Sequence, residues 1–342
     1  MGVKRIIRRG AAHLVGGLRL AKPLAWLSDG GAAILAYHRV LDPGLDDLDA
    51  VEPGMHVTKK TFEAHIDFLR SSFRICALND LVRRLLTGEA IPTGSVALTF
   101  DDGWLDTYEV AFPILYRRGV PATVFVPTAL VGTHERFWFS RAAEAATEIW
   151  RRRDLLRRAF PDEALPREAE FIPRLLALER RRESFIAKVI EQTKELPLAV
   201  QGATLVFLTQ LAGREPKNRR EMVSWDELRE MARDTFEIGS HTAHHVILTG
   251  LEPAEVKREL DDSRLTIGRE IGRAPISFCY PNGNYDVSIQ LQVQRSGYAC
   301  ALTTTAGLVG SHPALHALPR LGVHQGVAPD AHGLALLLSG VG

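Results

Sequence analysis

The chain has 342 residues, 42 Lys and Arg against 41 Asp and Glu for a net charge of +1, and 46% hydrophobic with 24% charged residues. That balance gives no global bias toward nucleic acid, and none is expected as a partner; the length suits one barrel-sized domain with insertions or two smaller domains. No apolar window approaches the length that crosses a bilayer, and three widely spaced cysteines (Cys76, Cys279, Cys300) make no disulfide framework, so a reducing, cytoplasmic setting is expected.

Residues 1–28 contain no Asp or Glu but carry Lys4, Arg5, Arg8, Arg9, Arg19 and Lys22. Arg19 and Lys22 break the apolar core that a cleavable signal peptide needs, and none is expected. Ile7, Ala11, Leu14 and Leu18 share one helical stripe. The segment therefore reads either as a solvated basic tail or as an amphipathic helix making peripheral contact with an anionic membrane.

From residue 29 on, strand-like and helix-like segments alternate. Strands are predicted at Ile34–His38, Val96–Phe100, Thr123–Val126, Phe236–Gly239, Ile276–Phe278 and Ala299–Thr303, with helices at Phe62–Leu69, Leu81–Leu86, Tyr108–Tyr116 and Trp225–Met231 between them. Such alternation predicts an α/β fold, a mainly parallel sheet or closed barrel, whose chemistry lies at the C-terminal ends of the strands. From about 140 to 222 the chain is Arg- and Leu-rich with no strand signal, a predicted helical insertion in the 29–342 domain. Its cations form either a solvated outer face or a wall for an anionic substrate or lipid phosphate.

Two short stretches carry the chemistry. In Thr99-Phe100-Asp101-Asp102-Gly103, two adjacent carboxylates follow a buried strand. Burying both is costly unless a cation or a shared proton relieves them. About 140 residues later, Phe236 to Ser240 runs into His241-Thr242-Ala243-His244-His245, where His241 and His245 stand i, i+4 and one helical turn would align them. Asp102, His241 and His245 then supply the three O and N donors of a catalytic divalent metal site, with Asp101 left as a base.

These stretches resemble the first two motifs of the polysaccharide deacetylase superfamily, carbohydrate esterase family four, which shares the nodulation-B homology domain. The resemblance covers roughly residues 32–140 and 222–325. It implies a distorted (β/α) barrel of about seven strands, Asp101 as general base, and Asp102, His241 and His245 as ligands of a metal, usually zinc; His244 matches no ligand position. Phe278-Cys279-Tyr280-Pro281-Asn282-Gly283 is similar to the family's third motif, with Cys279 where an arginine commonly orients the base; Arg320 is a candidate substitute. Trp104, Tyr280, Pro281 and Asn282 are expected to bind or orient substrate, Trp104, Tyr280 and Trp138 through aromatic faces.

Tyr37-His38-Arg39-Val40 resembles the N-terminal strand of the branch that deacetylates biofilm poly-N-acetylglucosamine, which makes His38 the acid in preference to His324 of Leu321-Gly322-Val323-His324. The implied activity is metal-dependent removal of N-acetyl groups from an N-acetylated glycan or lipid-linked sugar. Two alternatives stay open: hydrolysis of a non-sugar amide or cyclic imide, and a catalytically silent carbohydrate-binding protein.

Overall fold

The computed structural model describes residues 31–159, 170–213 and 220–340. The basic segment 1–28, expected as a tail or membrane-surface helix, lies outside them. The chain divides into two compact units. One takes in residues up to Asp42, Val57–Thr133 and the chain from Glu221 on; the other takes in Pro43–His56 and His134–Arg220.

The first unit is the expected β/α barrel. Seven strands build it: β1 (Ala32–Tyr37), β2 (Ser95–Phe100), β3 (Ala122–Val126), β4 (Phe236–Ser240), β5 (Ser277–Cys279), β6 (Cys300–Ala306) and β7 (Leu318–Gly322). All neighbours are parallel, in the order β1-β7-β6-β5-β4-β3-β2, and β2 returns to β1 in unbroken register from Ala32↔Ser95 to Tyr37↔Phe100, which closes the sheet. A two-residue strand, Arg74–Ile75, adds to the start of β2. The predicted strand Ile34–His38 stops one residue early, so that His38 stands beyond the sheet.

Side chains alternate along the strands, and the alternation sends most of their apolar residues to two clusters, with Phe278 and Ala301 in a third. Ala33, Leu35, Val96, Leu98, Val124, Val126, Phe236 and Ile238 pack against the surrounding helices. Ile34, Ala97, Phe125, Cys279, Cys300, Leu302 and Leu318 face the lumen, where Leu78, Leu81 and Val82 of the helix Leu78–Thr87 join them. Phe125 fills the lumen at the level of Gly239, whose missing side chain makes room for the ring.

Predicted helices fall within Lys59–Ser72, Leu78–Thr87 and Trp225–Arg233. Trp225–Arg233 opens with a capping box between Ser224 and Glu227, and Thr58 caps Lys59–Ser72 at the Thr61 N–H. The predicted Tyr108–Tyr116 helix instead splits into a wide turn over Thr107–Ala111 and the helix Phe112–Arg118. Pro113 has no N–H to continue the ladder, and the Phe112 N–H reaches back to the Thr107 carbonyl.

In the second unit the described elements are mainly helices. Trp138–Arg151 buries Ala142, Ala143, Ala146 and Ile149, and the helices Arg182–Glu195 and Leu198–Ala212 pack on it. Its cations meet its own carboxylates, Arg136 on Glu144 and Arg151 on Glu148 at 2.6 Å each, and Lys188 on Glu179.

A methyl group at residue 239 runs into the Phe125 ring, so Gly239→Ala should destabilise the barrel by about 1–3 kcal/mol, the usual cost of overpacking. Denaturant unfolding of Gly239→Ala and of Gly239→Ala/Phe125→Leu checks it, with the double variant regaining most of the loss.

Candidate active site

The lumen register delivers the site. Continuing Ala97 and Thr99 by two places gives Asp101, Leu318 gives Arg320, Ser277 gives Cys279 and Gly239 gives His241, all at the C-terminal mouth of the barrel and each at most 2% exposed. The next residue, Asp102, has a left-handed backbone (φ 75°), which turns its carboxylate away from the direction Asp101 takes.

The two carboxylates have separate partners. Arg320 forks onto Asp101, Nη1 to Oδ1 at 2.8 Å and Nη2 to Oδ2 at 2.6 Å. The same guanidinium donates to the Thr303 carbonyl, the Thr99 hydroxyl and the Cys279 sulfur. Cys279, neutral because burial pushes its thiol up, directs that thiol at Asp101 Oδ2 over 3.5 Å. Burial opposes ionisation of Asp101, but the guanidinium outweighs it and holds the carboxyl below the usual carboxylate range. His38, a quarter exposed, brings Nε2 to 3.9 Å from Asp101 Oδ2.

Asp102 faces the imidazoles. Its Oδ1 lies 3.4 Å from His241 Nε2 and 3.1 Å from His245 Nε2, while Oδ2 accepts the indole N–H of Trp104 at 2.9 Å. His241 Nδ1 donates to the Cys279 carbonyl at 2.7 Å. A carbonyl only accepts, so the Nδ1 proton is fixed and a neutral His241 points a lone pair at Asp102. Two acceptors face each other there unless a proton or metal ion lies between them. Burial disfavours the charged form of both imidazoles; at His241 the contact with the Asp102 carboxylate opposes it and the pKa stands above its ordinary value, whereas at His245 burial prevails and lowers it. Asp102, His241 and His245 thus converge three donor atoms within 4.8 Å of one another, an O and two N that fit a divalent ion of the zinc type.

A sequence profile of the family described as polysaccharide deacetylase matches residues 89–163 and 199–301, just over half of the chain and including Asp101, Asp102, His241, His245 and Cys279. The chain belongs to the polysaccharide deacetylase family. The Bacillus subtilis protein YxkH, whose name assigns it to the polysaccharide deacetylases, is 21% identical over 301 residues, 88% of this chain and 74% of that protein. Among solved structures, the Streptococcus pyogenes deacetylase PplD in complex with acetate shares the fold with TM-score 0.56 at 18% identity, over 90% of this chain and 98% of that one. IcaB from Ammonifex degensii does so with TM-score 0.57 at 18% identity, over 91% and 97%.

Several expectations about this deacetylase-family site need correction. His241 and His245 do not share a helical turn: the segment is a loop in which Thr242 (φ 66°) and His245 (φ 57°) are left-handed, and the rings meet with centroids 4.9 Å apart. Trp104 and Tyr280 do not present aromatic faces to a sugar, since both are buried. The Trp104 ring lies under the Arg39 guanidinium at 4.3 Å, and Tyr280 stacks on Tyr285 and donates to the His316 carbonyl. Pro281 is buried as well, and of that motif Asn282 is the exposed residue. Trp138 belongs to the helical unit. His244 turns to Glu259, and His324 accepts the Gly326 N–H. Residues that sequence reasoning passed over are Asp106, which accepts from Arg39 Nε and the Val40 N–H at 2.8 Å each, and Glu259. Only their nearness to the motifs, Asp106 four places past Asp102, offered a signal.

Arg320→Met removes one half of a buried pair and should cost about 3–5 kcal/mol at neutral pH. A depressed carboxyl contributes stability above its unfolded pKa of about 3.9 and loses it as pH falls through the lower folded value. The gap between wild type and variant in chemical denaturation should accordingly be full at pH 6–7 and narrow below about pH 4; a gap independent of pH would show that the fork adds nothing to Asp101 ionisation.

Proposed function

We propose that the protein is a metal-dependent N-deacetylase of an N-acetylated glycan, hydrolysing the acetamide to acetate and a free amino sugar. The observation that carries this is the division of the carboxylate pair, Asp101 held ionised by Arg320 and Asp102 turned to two imidazoles. A scaffold that only bound sugar would have no use for two buried acids so partnered.

Asp102, His241 and His245 are the residues that would hold the ion, and a divalent ion there would acidify a water and polarise the acetamide carbonyl. The remaining work falls to the protein's own groups. Asp101 accepts the proton of the attacking water. Its basicity is weakened by Arg320, so it serves only a water made acidic, which explains why base and ion site are neighbours in sequence. Arg320 and the Cys279 thiol fix the carboxylate plane. As the tetrahedral adduct collapses, the C–N bond breaks and its electron pair takes a proton from His38, which stands on the open side of Asp101. His38 is assigned this role over His324 because it is the imidazole brought to Asp101. Its motif, Tyr37-His38-Arg39-Val40, supports a poly-N-acetylglucosamine type of exopolysaccharide as substrate.

Two sets of variants test the roles. Asp102→Ala, His241→Ala and His245→Ala should each lose bound zinc and activity, whereas Asp101→Asn should keep its metal and lose on the order of a hundredfold or more in rate. Elemental analysis with acetate release reads both; equal metal loss in Asp101→Asn would reverse the assignment.

His38→Ala should slow amide hydrolysis more than His324→Ala does, and an ester with a good leaving group, which needs no proton, should escape part of that penalty. A larger loss from His324→Ala would move the acid to the later strand.

A further inference from the structure

The segment His241–His245 holds a shape its backbone resists. Thr242 is β-branched yet left-handed, His245 is left-handed too, and the buried Thr242 hydroxyl finds no hydrogen-bond partner among the described residues. Something outside the loop must hold it. One side is tied to the chain after β3, where the Thr128 and Ala129 N–H groups donate to the Thr242 and Ala243 carbonyls.

The other side is held by the helix Pro253–Ile271. Glu259 Oε2 accepts both the Ala243 and the His244 N–H at 2.9 Å, and Oε1 accepts His244 Nδ1 at 2.7 Å. One helical turn on, Ser263 meets the Ser240 hydroxyl at 2.8 Å, immediately before His241. The Glu259 side chain is 13% exposed, so its three acceptor contacts form largely out of water, where they bind most firmly. Those backbone N–H groups belong to Ala243 and His244, the two residues immediately before His245, and their direction sets where the His245 ring points. His244, the middle imidazole of the motif, is bound outward by the same carboxylate and kept off Asp102.

We infer that Glu259 is the positioning residue of the imidazole pair: by gripping the Ala243 and His244 amides it fixes the angle at which His241 and His245 converge on Asp102, and so sets the affinity for the metal ion. This rests on the metal reading proposed above. Glu259 touches no substrate and takes no part in proton transfer.

The test is zinc affinity of the full-length, metal-free protein, read by competition with a chromophoric chelator, together with amide hydrogen exchange. Glu259→Ala should weaken zinc binding roughly ten- to a hundredfold, the usual effect of losing a group that orients a ligand. Glu259→Gln, which keeps one oxygen for the two N–H groups, should recover most of it, and His244→Ala, which spares those two bonds, should stay near wild type. Exchange in the metal-free Glu259→Ala protein should quicken at Ala243 and His244 and not in β3, separating local release from general loss of stability. Should Glu259→Ala not fold, Glu259→Asp, one methylene too short for the grip, takes its place. Zinc affinity within about twofold of wild type in the Glu259 variants, with Asp102→Ala having lost zinc, would overturn the inference. Wild-type zinc affinity in Asp102→Ala would instead overturn the metal reading beneath it.

Discussion

Two neighbouring carboxylates buried in one barrel mouth cannot both stay ionised unless each has its own cation. Asp101 and Asp102 are each about 2% exposed, and at such separation and burial their repulsion would drive one of them to protonate. The fold answers with opposite directions. Asp101 continues the lumen register of β2 and meets Arg320 from β7; Asp102, left-handed, turns to the imidazoles after β4. The proposed base and the proposed ion site are thereby kept adjacent but electrically distinct.

That separation depends on volume as well as charge. Arg320 reaches Asp101 through the lumen, and it passes the position where a thiol, small and neutral, stands at Cys279. A long cation at residue 279 would compete with Arg320 for the same carboxylate and the same space. The departure of Cys279 from the commoner third motif and the fork from Arg320 are two sides of one packing solution. Outside it, Arg39, Asp106 and Trp104 tie the Asp-pair loop to the end of β1, and the Trp104 indole occupies Asp102 Oδ2 so that Oδ1 alone faces the histidines.

Much of this was legible in the chain. Apolar runs and intervening helical patterns located six of the barrel strands and pointed to a parallel sheet or closed barrel, while the count of about seven came from the family resemblance; the strand Leu318–Gly322, interrupted by Pro319 and Arg320, carries no such run. The meeting of Asp102, His241 and His245 followed from residue type and strand ends. Its means did not: spacing i, i+4 pointed to a helical turn, while the backbone uses two left-handed residues that no local preference of Thr or His announces. Aromatic residues beside a motif look like sugar platforms, yet Trp104 and Tyr280 are buried by contacts from β1 and the late loops, distant in sequence. The Arg320 fork and the Glu259 grip are likewise long-range, visible only once the strands are placed around the lumen.

The most direct test of this account is the anomalous scattering of zinc in crystals of the zinc-loaded protein. The account predicts one ion bonded to Asp102 Oδ1, His241 Nε2 and His245 Nε2 at about 2.0–2.2 Å, with the Arg320 fork on Asp101 unbroken. An ion bonded to Asp101 with Arg320 displaced, or seated among Asp101, His241 and Cys279, would contradict it.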